Sequence, residues 1–217
     1  PMGAQVGYVA DGIFKSQEEI DNHAKQDGAT LGRMRWKDLD GNNIITEADQ
    51  DWIYDPTPDF SYGFNVFLEY KNFDFTMFWQ GVQGVDVISD LKRETDIWAG
   101  LNIGFLNKGK RLTEAWSATN PGSNIPALSL SDNNNEKRVS SYWVENGSYL
   151  KLRTIQLGYN LPNSVASRLA MQRMRFYISA QNLLTIHSKS FTGVDPENPN
   201  YGYPIPLNIT FGINVTF

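Results

Sequence analysis

The sequence contains no cysteine. That one absence excludes disulfides, thiolate metal centres and a cysteine nucleophile together. Histidine is almost as scarce, with only His23 and His187, so a histidine-rich zinc site is out of reach. Positive charge is thin as well. The net charge is -5, the isoelectric point is near 5.0, and the densest basic cluster is Lys108-Gly109-Lys110-Arg111. A nucleic-acid partner needs a dense Lys/Arg face, so none is expected. No apolar run approaches the roughly 18 residues of a spanning helix. Mean hydropathy is -0.42, a value that barrel strands also reach because they alternate apolar and polar residues. The chain opens Pro1-Met2-Gly3 with no charged or hydrophobic leader, so either a leader was removed or this is a piece of a longer polypeptide.

What is present is alternation. In 60–70 the residues Phe60, Tyr62, Phe64, Val66, Leu68 and Tyr70 share one face, and in 73–81 so do Phe73, Phe75, Met77 and Trp79. Segment 174–184 sets Met174, Phe176, Ile178 and Ala180 against Arg175, Tyr177, Ser179 and Gln181. Segment 207–217 sets Leu207, Ile209, Phe211, Ile213, Val215 and Phe217 against Asn208, Thr210, Gly212, Asn214 and Thr216. In 148–160 the pattern is less clean, with Ile155, Leu157 and Tyr159 in phase. Period two predicts strands, and a sixth is expected within Gln5–Val9. These segments exceed the roughly five or six residues of an ordinary strand and approach the roughly 9–11 of a tilted bilayer-crossing strand.

The connections alternate in length. Residues 71–72 and 161–173 are short, whereas 10–59, 82–147 and 185–206 are long. This is the pattern of outer-membrane barrels, with long extracellular loops and short periplasmic turns. Parity puts Phe217 on the periplasmic side, where a terminal aromatic resembles the signal that marks bacterial outer-membrane proteins for barrel assembly. Six strands cannot close a membrane barrel, for which about eight is the minimum. The predicted fold is therefore all-β: the C-terminal strands of a large antiparallel transmembrane β-barrel, spanning residues 1–217.

Several blocks resemble one family. They are DGIFKSQEEID at Asp11–Asp21, LGRMRWKDLDGNNIITEAD at Leu31–Asp49 and PDFSYGFNVFLEYKNFDFTMFWQGVQG at Pro58–Gly84. GSYLKLRTIQLGYNLP at Gly147–Pro162, YISAQNLLTI at Tyr177–Ile186 and the aromatic-ended last strand complete the set. Together they are similar to the late barrel of SusC/RagA-type TonB-dependent transporters of Bacteroidetes. The resemblance implies a barrel of about 22 strands, an amino-terminal plug upstream of this chain, a SusD-like surface lipoprotein as lid, and energy from the TonB complex acting on the plug. It implies an outer-membrane location among lipid, an oligosaccharide or peptide substrate, and no catalytic residue. The rivals are a secreted calcium-stabilised glycan-binding β-sandwich, a glycan-processing enzyme, and a siderophore- or cobalamin-type TonB receptor.

The sharpest chemical motif is Asp38-Leu-Asp40-Gly-Asn42-Asn-Ile44-Ile-Thr46-Glu-Ala-Asp49, which matches the spacing of a twelve-residue calcium loop. Asp38, Asp40 and Asn42 offer side-chain oxygens and Ile44 its carbonyl. Thr46 acts directly or through water, and Asp49 closes the shell. Two departures stand out. Asn43 replaces the usual glycine, tolerable because asparagine visits the left-handed region, and Asp49 replaces glutamate. The competing reading is an Asx-turn cluster that caps a short helix near Glu47. Trp98, Trp116 and Trp143 fall in the longest connection, where they either stack on substrate sugars or form that loop's own aromatic core. Asp132–Glu136 is expected to be a solvated loop tip, and Trp79 and Tyr159 to belong to an interfacial aromatic girdle.

Overall fold

The computed structural model describes residues 3–96, 108–129, 131–200 and 202–217. Eleven strands occur among them. Four short ones, β1 (Gln5–Tyr8), β2 (Ala10–Ile13), β3 (Met34–Trp36) and β4 (Gln50–Tyr54), precede the long β5 (Phe60–Tyr70) and β6 (Phe73–Gln83). The short β7 (Asp86–Ile88) and β8 (Val144–Asn146) are followed by the long β9 (Tyr149–Asn160), β10 (Arg173–His187) and β11 (Asn208–Thr216). The long strands form one antiparallel sheet in the order β11-β10-β9-β6-β5. Each neighbours the long strand next to it in sequence. Residues Lys71-Asn72, with Lys71 at φ 55°, and residues 161–172 make the connections at one end of the sheet. Residues 84–148 and 188–207 make them at the other. No helix among the described residues is long and apolar enough to cross a membrane, which says nothing of strands.

Register divides this sheet into an apolar face and a mostly polar one. Phe73, Phe75 and Met77 of β6 stand opposite Tyr70, Leu68 and Val66 on β5, and opposite Tyr159, Leu157 and Ile155 on β9. The same row continues through Phe176, Ile178 and Ala180 of β10 to Ile213, Phe211 and Ile209 of β11. The opposite face carries Asp74, Thr76, Gln156, Arg175, Ser179, Thr210 and Asn214. Among the described residues no second sheet covers the apolar face, and Phe211 is 78% exposed. A β-sandwich needs two sheets packed face to face, and that arrangement is not found here.

The irregular pattern of 148–160 has a specific cause. Phe78 pairs with Thr154 and Trp79 with Leu152, so Arg153 is left over as a bulge. On the other side Gln181 pairs with Thr154 and Leu184 with Leu152, which leaves Asn182 and Leu183 opposite Arg153. Asn182 sits at φ 56°. A bulge inserts a residue without reversing the flanking pairs. Leu150 and Leu152, out of phase with Ile155 in sequence, thus return to the apolar face.

The predicted sixth strand forms, but in a different place. β1 pairs with β4 in a separate two-stranded ribbon, so five strands and not six make the sheet. The reason is local. Gly7 lies so close to the Val139 carbonyl that a Cβ there would collide with it, and the Tyr8 amide donates to Val139 O. That binds β1 to the long connections. Their interior, not the sheet, holds the main core: Met34, Trp36 and Trp143 are buried together, with Tyr8, Ala10, Ile45, Ile88 and Tyr142 around them. The strands themselves also run further than predicted, to Gln83 and from Arg173 to His187, which sets Trp79 inside β6 rather than near its end.

Deleting Arg153 should remove the bulge and leave Leu150, Leu152 and Ile155 in one regular alternation on the apolar face, at the loss of the Arg153 contacts to Gln80 and Glu197. The expected outcome is an unchanged strand signal in circular dichroism of the refolded full-length protein, with faster proteolysis within 188–207 because the Arg153–Glu197 pair is gone. Loss of the strand signal in the deletion variant would overturn the assignment of the bulge.

Candidate functional site

The polar face bears two charged centres. Toward the short-turn end, the Arg175 guanidinium donates to both Asp74 carboxylate oxygens, at 2.9 and 2.5 Å. Arg175 lies on β10 and Asp74 on β6, so the pair crosses β9 between them. It crosses at Gly158, where any Cβ would collide with both partners. Asn160 adds an N–H donor to Asp74 at 3.1 Å. These groups line a cavity of about 440 Å³ together with Phe67, Glu69 and Arg173.

Toward the other end, Lys151 is 1% exposed on its side chain and donates to Asp195 at 2.7 Å and to Glu197 at 2.6 Å. The bulge residue Arg153 donates to Gln80 Oε1 at 2.9 Å and also pairs with Glu197. The Tyr149 hydroxyl donates to Glu197 at 2.8 Å. Residues 188–207 are thereby strapped onto the sheet. Burial raises the Glu197 pKa, but the contacts from Arg153, Lys151 and Tyr149 outweigh it and hold it down at about 2. Further along the strap, the Thr192 amide and hydroxyl donate to Glu145, at 2.8 and 2.7 Å, which joins it to the connection 84–148.

The acidic turn closes as its spacing requires. Asp38 accepts from the amides of Gly41 and Asn43, both at 2.8 Å, and Asn43 takes the left-handed φ of 62°. Asp40 accepts from the Asn42 amide at 3.0 Å and its side chain at 2.8 Å. Asn42 Oδ1 accepts from Ile44 N at 2.8 Å. Carboxylate oxygens of Asp38, Asp40 and Asp49 all lie within 4.8 Å of one another. Asp49 also caps the turn: residues Glu47–Asp49 form one turn of 3-10 helix with a Thr46/Asp49 capping box. Burial raises the Asp49 pKa, yet the amides of Thr46, Leu39 and Asp40 more than offset it, and the carboxyl stays below its usual value. The geometry thus contains the capping arrangement and a carboxylate cluster in the same residues.

Trp143 is 3% exposed in the loop core, its indole N–H donating to Arg138 O at 3.1 Å. Its position is that of a core residue. The Trp116 ring lies half-buried against Gly32 and Ala127, and Trp98 lies outside the described residues. The expected solvated tip Asp132–Glu136 is corrected by the structure: Asn134 and Glu136 are buried. Glu136 accepts from Arg33 at 2.9 Å and from the Met34 amide at 2.8 Å, and Asn134 bonds to Gln26 at 2.6 Å. Burial pushes the Glu136 pKa up against the pull of Arg33. Partners about a hundred positions away in sequence turn a polar run into an interior anchor.

No family model matches the chain. It is 35% identical, over its whole length, to TonB-dependent receptor P3 of Formosa agariphila, of which it covers 22%. It is 26% identical over 98% of its length to TonB-dependent receptor SusC of Bacteroides thetaiotaomicron, covering 20% of that protein. Among solved structures, that of the RagAB peptide transporter matches with a TM-score of 0.75 and 25% identity, over 99% of this chain and 22% of that one. The chain spans about a fifth of the length of these relatives.

The strap has a definite pH dependence. Glu197 titrates lower in the fold, at about 2, than its ordinary 4.5. Its contribution is therefore complete above the ordinary value and is lost as pH falls through the folded one. Pepsin cutting within 188–207 of the full-length protein should rise as pH drops from 4.5 toward about 2. Lys151→Ala should be cut there already at the upper limit. Parallel profiles for the two proteins would contradict the clamp.

Proposed function

Because the chain belongs to the SusC/RagA-type TonB-dependent receptors, we propose that its sheet is a section of an outer-membrane β-barrel that imports an oligosaccharide or peptide. The observation that carries this reading is the continuous apolar face across five strands, left uncovered by any described element. Such a face suits lipid, and the polar face opposite suits a plugged lumen. The long connections then lie on the cell exterior, where their folded core shapes the substrate entrance and meets a SusD-like lid. Energy enters through the plug and the TonB complex. This chain's part is to supply wall and entrance, not chemistry. Its named relatives are receptors and transporters, which supports import over hydrolysis.

Two substitutions test the orientation. In the full-length protein Ile178→Lys puts a cation on the apolar face and should cost about 2–4 kcal/mol if it falls near the bilayer midplane. Its neighbour Ser179→Lys, on the polar face, should be tolerated. Yields of the folded, outer-membrane form on unboiled gels report the difference, and equal tolerance of both would sink the barrel reading. A deletion strain should also lose growth on one class of oligosaccharide or peptide.

The turn at Asp38–Asp49 is proposed as a structural calcium site. Oxygens at these spacings suit a hard cation, and each carboxylate oxygen can accept more than the one bond it already takes. Asp40 is the informative residue, because among the described residues its carboxylate bonds to Asn42 alone, whereas Asp38 and Asp49 each tie together the amides of two residues. Calcium should raise the melting temperature of the intact protein, and Asp40→Ala should abolish that gain. Identical melts in calcium and chelator would leave the turn closed by its own hydrogen bonds alone.

A further inference from the structure

At its short-turn end the sheet carries two hollows that meet at one side chain. The first is a groove of about 600 Å³ on the apolar face, whose lining includes Phe73, Leu157, Tyr159, Phe176, Phe211 and Ile213. The second is a cavity of about 480 Å³ at the rim, whose lining includes Glu69, Lys71, Asn72, Phe73, Asn163 and Arg173. Both volumes fall within the roughly 300–1,000 Å³ of small-molecule sites. Phe73 belongs to both, so the apolar groove and the charged cavity adjoin. Lys71 sits in the tight hairpin at φ 55°. Its ammonium rests 5.2 Å from the centroid of the Tyr70 ring and meets no carboxylate among the described residues. Glu69 faces Asp74 across the β5–β6 pairing. Arg175 takes Asp74, and Glu69 has no hydrogen bond or ion pair among the described residues. Arg173 is already engaged by Asn160 Oδ1 and by the charge of Asp74. The rim cavity thus offers one cation and one anion, with a hydrocarbon groove beside them.

We propose that the groove and the rim cavity together hold one phospholipid with a primary-amine headgroup. Its phosphate sits at Lys71, its ammonium at Glu69, and an acyl chain lies along the groove. The inference rests on the reading that the apolar face meets lipid, and it adds a fixed position and a choice of headgroup. Hydrocarbon alone accounts for the groove but not for the charges beside it. An anionic headgroup without an amine satisfies Lys71 and sets a second negative charge against Glu69. A quaternary ammonium carries the charge that Glu69 needs but has no N–H to donate, and hydrogen bonds between ionised partners are the strong ones. A free phosphate uses neither the carboxylate nor the groove. An ammonium and a phosphate on one headgroup, joined to an acyl chain, answer all three features. The rings of Tyr70, Phe73 and Tyr159 at this end of the sheet suit the boundary between hydrocarbon and headgroups.

The test uses the full-length protein reconstituted in bilayers of equal parts phosphatidylethanolamine, phosphatidylcholine and phosphatidylglycerol. After extraction in mild detergent, mass spectrometry counts the lipid that stays bound. The expected result is phosphatidylethanolamine enriched several-fold over both of the others. Glu69→Gln should abolish its advantage over phosphatidylcholine. Lys71→Asn, which keeps a residue at home in the left-handed region, should cut its retention several-fold. Excess glycerophosphoethanolamine, the same headgroup without chains, should not displace it. Equal retention of the three lipids by the unaltered protein, an enrichment that both variants keep, or displacement by the free headgroup would overturn the site. Membrane fractionation of cells making the same protein separates the two ideas. Protein in the outer membrane that shows no enrichment refutes the lipid site alone, whereas protein absent from that membrane refutes the barrel reading beneath it.

Discussion

Adjacent residues of a strand point to opposite sides of its sheet, so a slip of one position in any pairing would turn a whole strand inside out. Everything else in this molecule depends on that register being kept across five strands. The apolar row from Leu68 through Phe75, Leu157 and Ile178 to Phe211 exists only because four separate pairings agree. Where the sequence falls out of step, at Arg153, bulges on β9 and β10 absorb the difference. The same insertion puts Arg153 within reach of Gln80 and Glu197, so one irregularity both rescues the register and anchors the strap.

The long connections solve another problem. They fold against one another around Met34, Trp36 and Trp143, and buried polar contacts fix them to one another and to the end of the sheet. Arg33–Glu136 and Lys151–Asp195 are ion pairs between distant segments. A buried pair gives little net stabilisation compared with an apolar contact, but it penalises any arrangement that leaves one charge alone. It therefore favours one relative placement of loops that apolar contacts would accept in several.

How much of this was legible in the sequence follows from the range of the interactions. Strand 60–70 could be read to the residue, because alternation is a property of neighbours. So could the left-handed Asn43, since the loop spacing demands it. Segment 148–160 read poorly because a bulge is invisible until its partner strand is known. Asp132–Glu136 was misread as solvated because polar composition is local, while the Arg33 and Met34 groups that bury Glu136 are 103 and 102 positions away. β1 was recognised as a strand but assigned to the wrong sheet, since pairing partners leave no mark in a strand's own residues. The facing carboxylates of Glu69 and Asp74 gave no signal at all, because their juxtaposition is a fact of register.

The Arg175–Asp74 pair also has a mechanical meaning. Its guanidinium runs over the gap at Gly158 and laces β6 to β10 with β9 in between. If β6 slid along β10 by one register step of two residues, roughly 7 Å, both of its bonds would part at once. Such a lacing resists shear far more than bending. A sheet laced this way transmits a pull along its strands without letting them slide past one another.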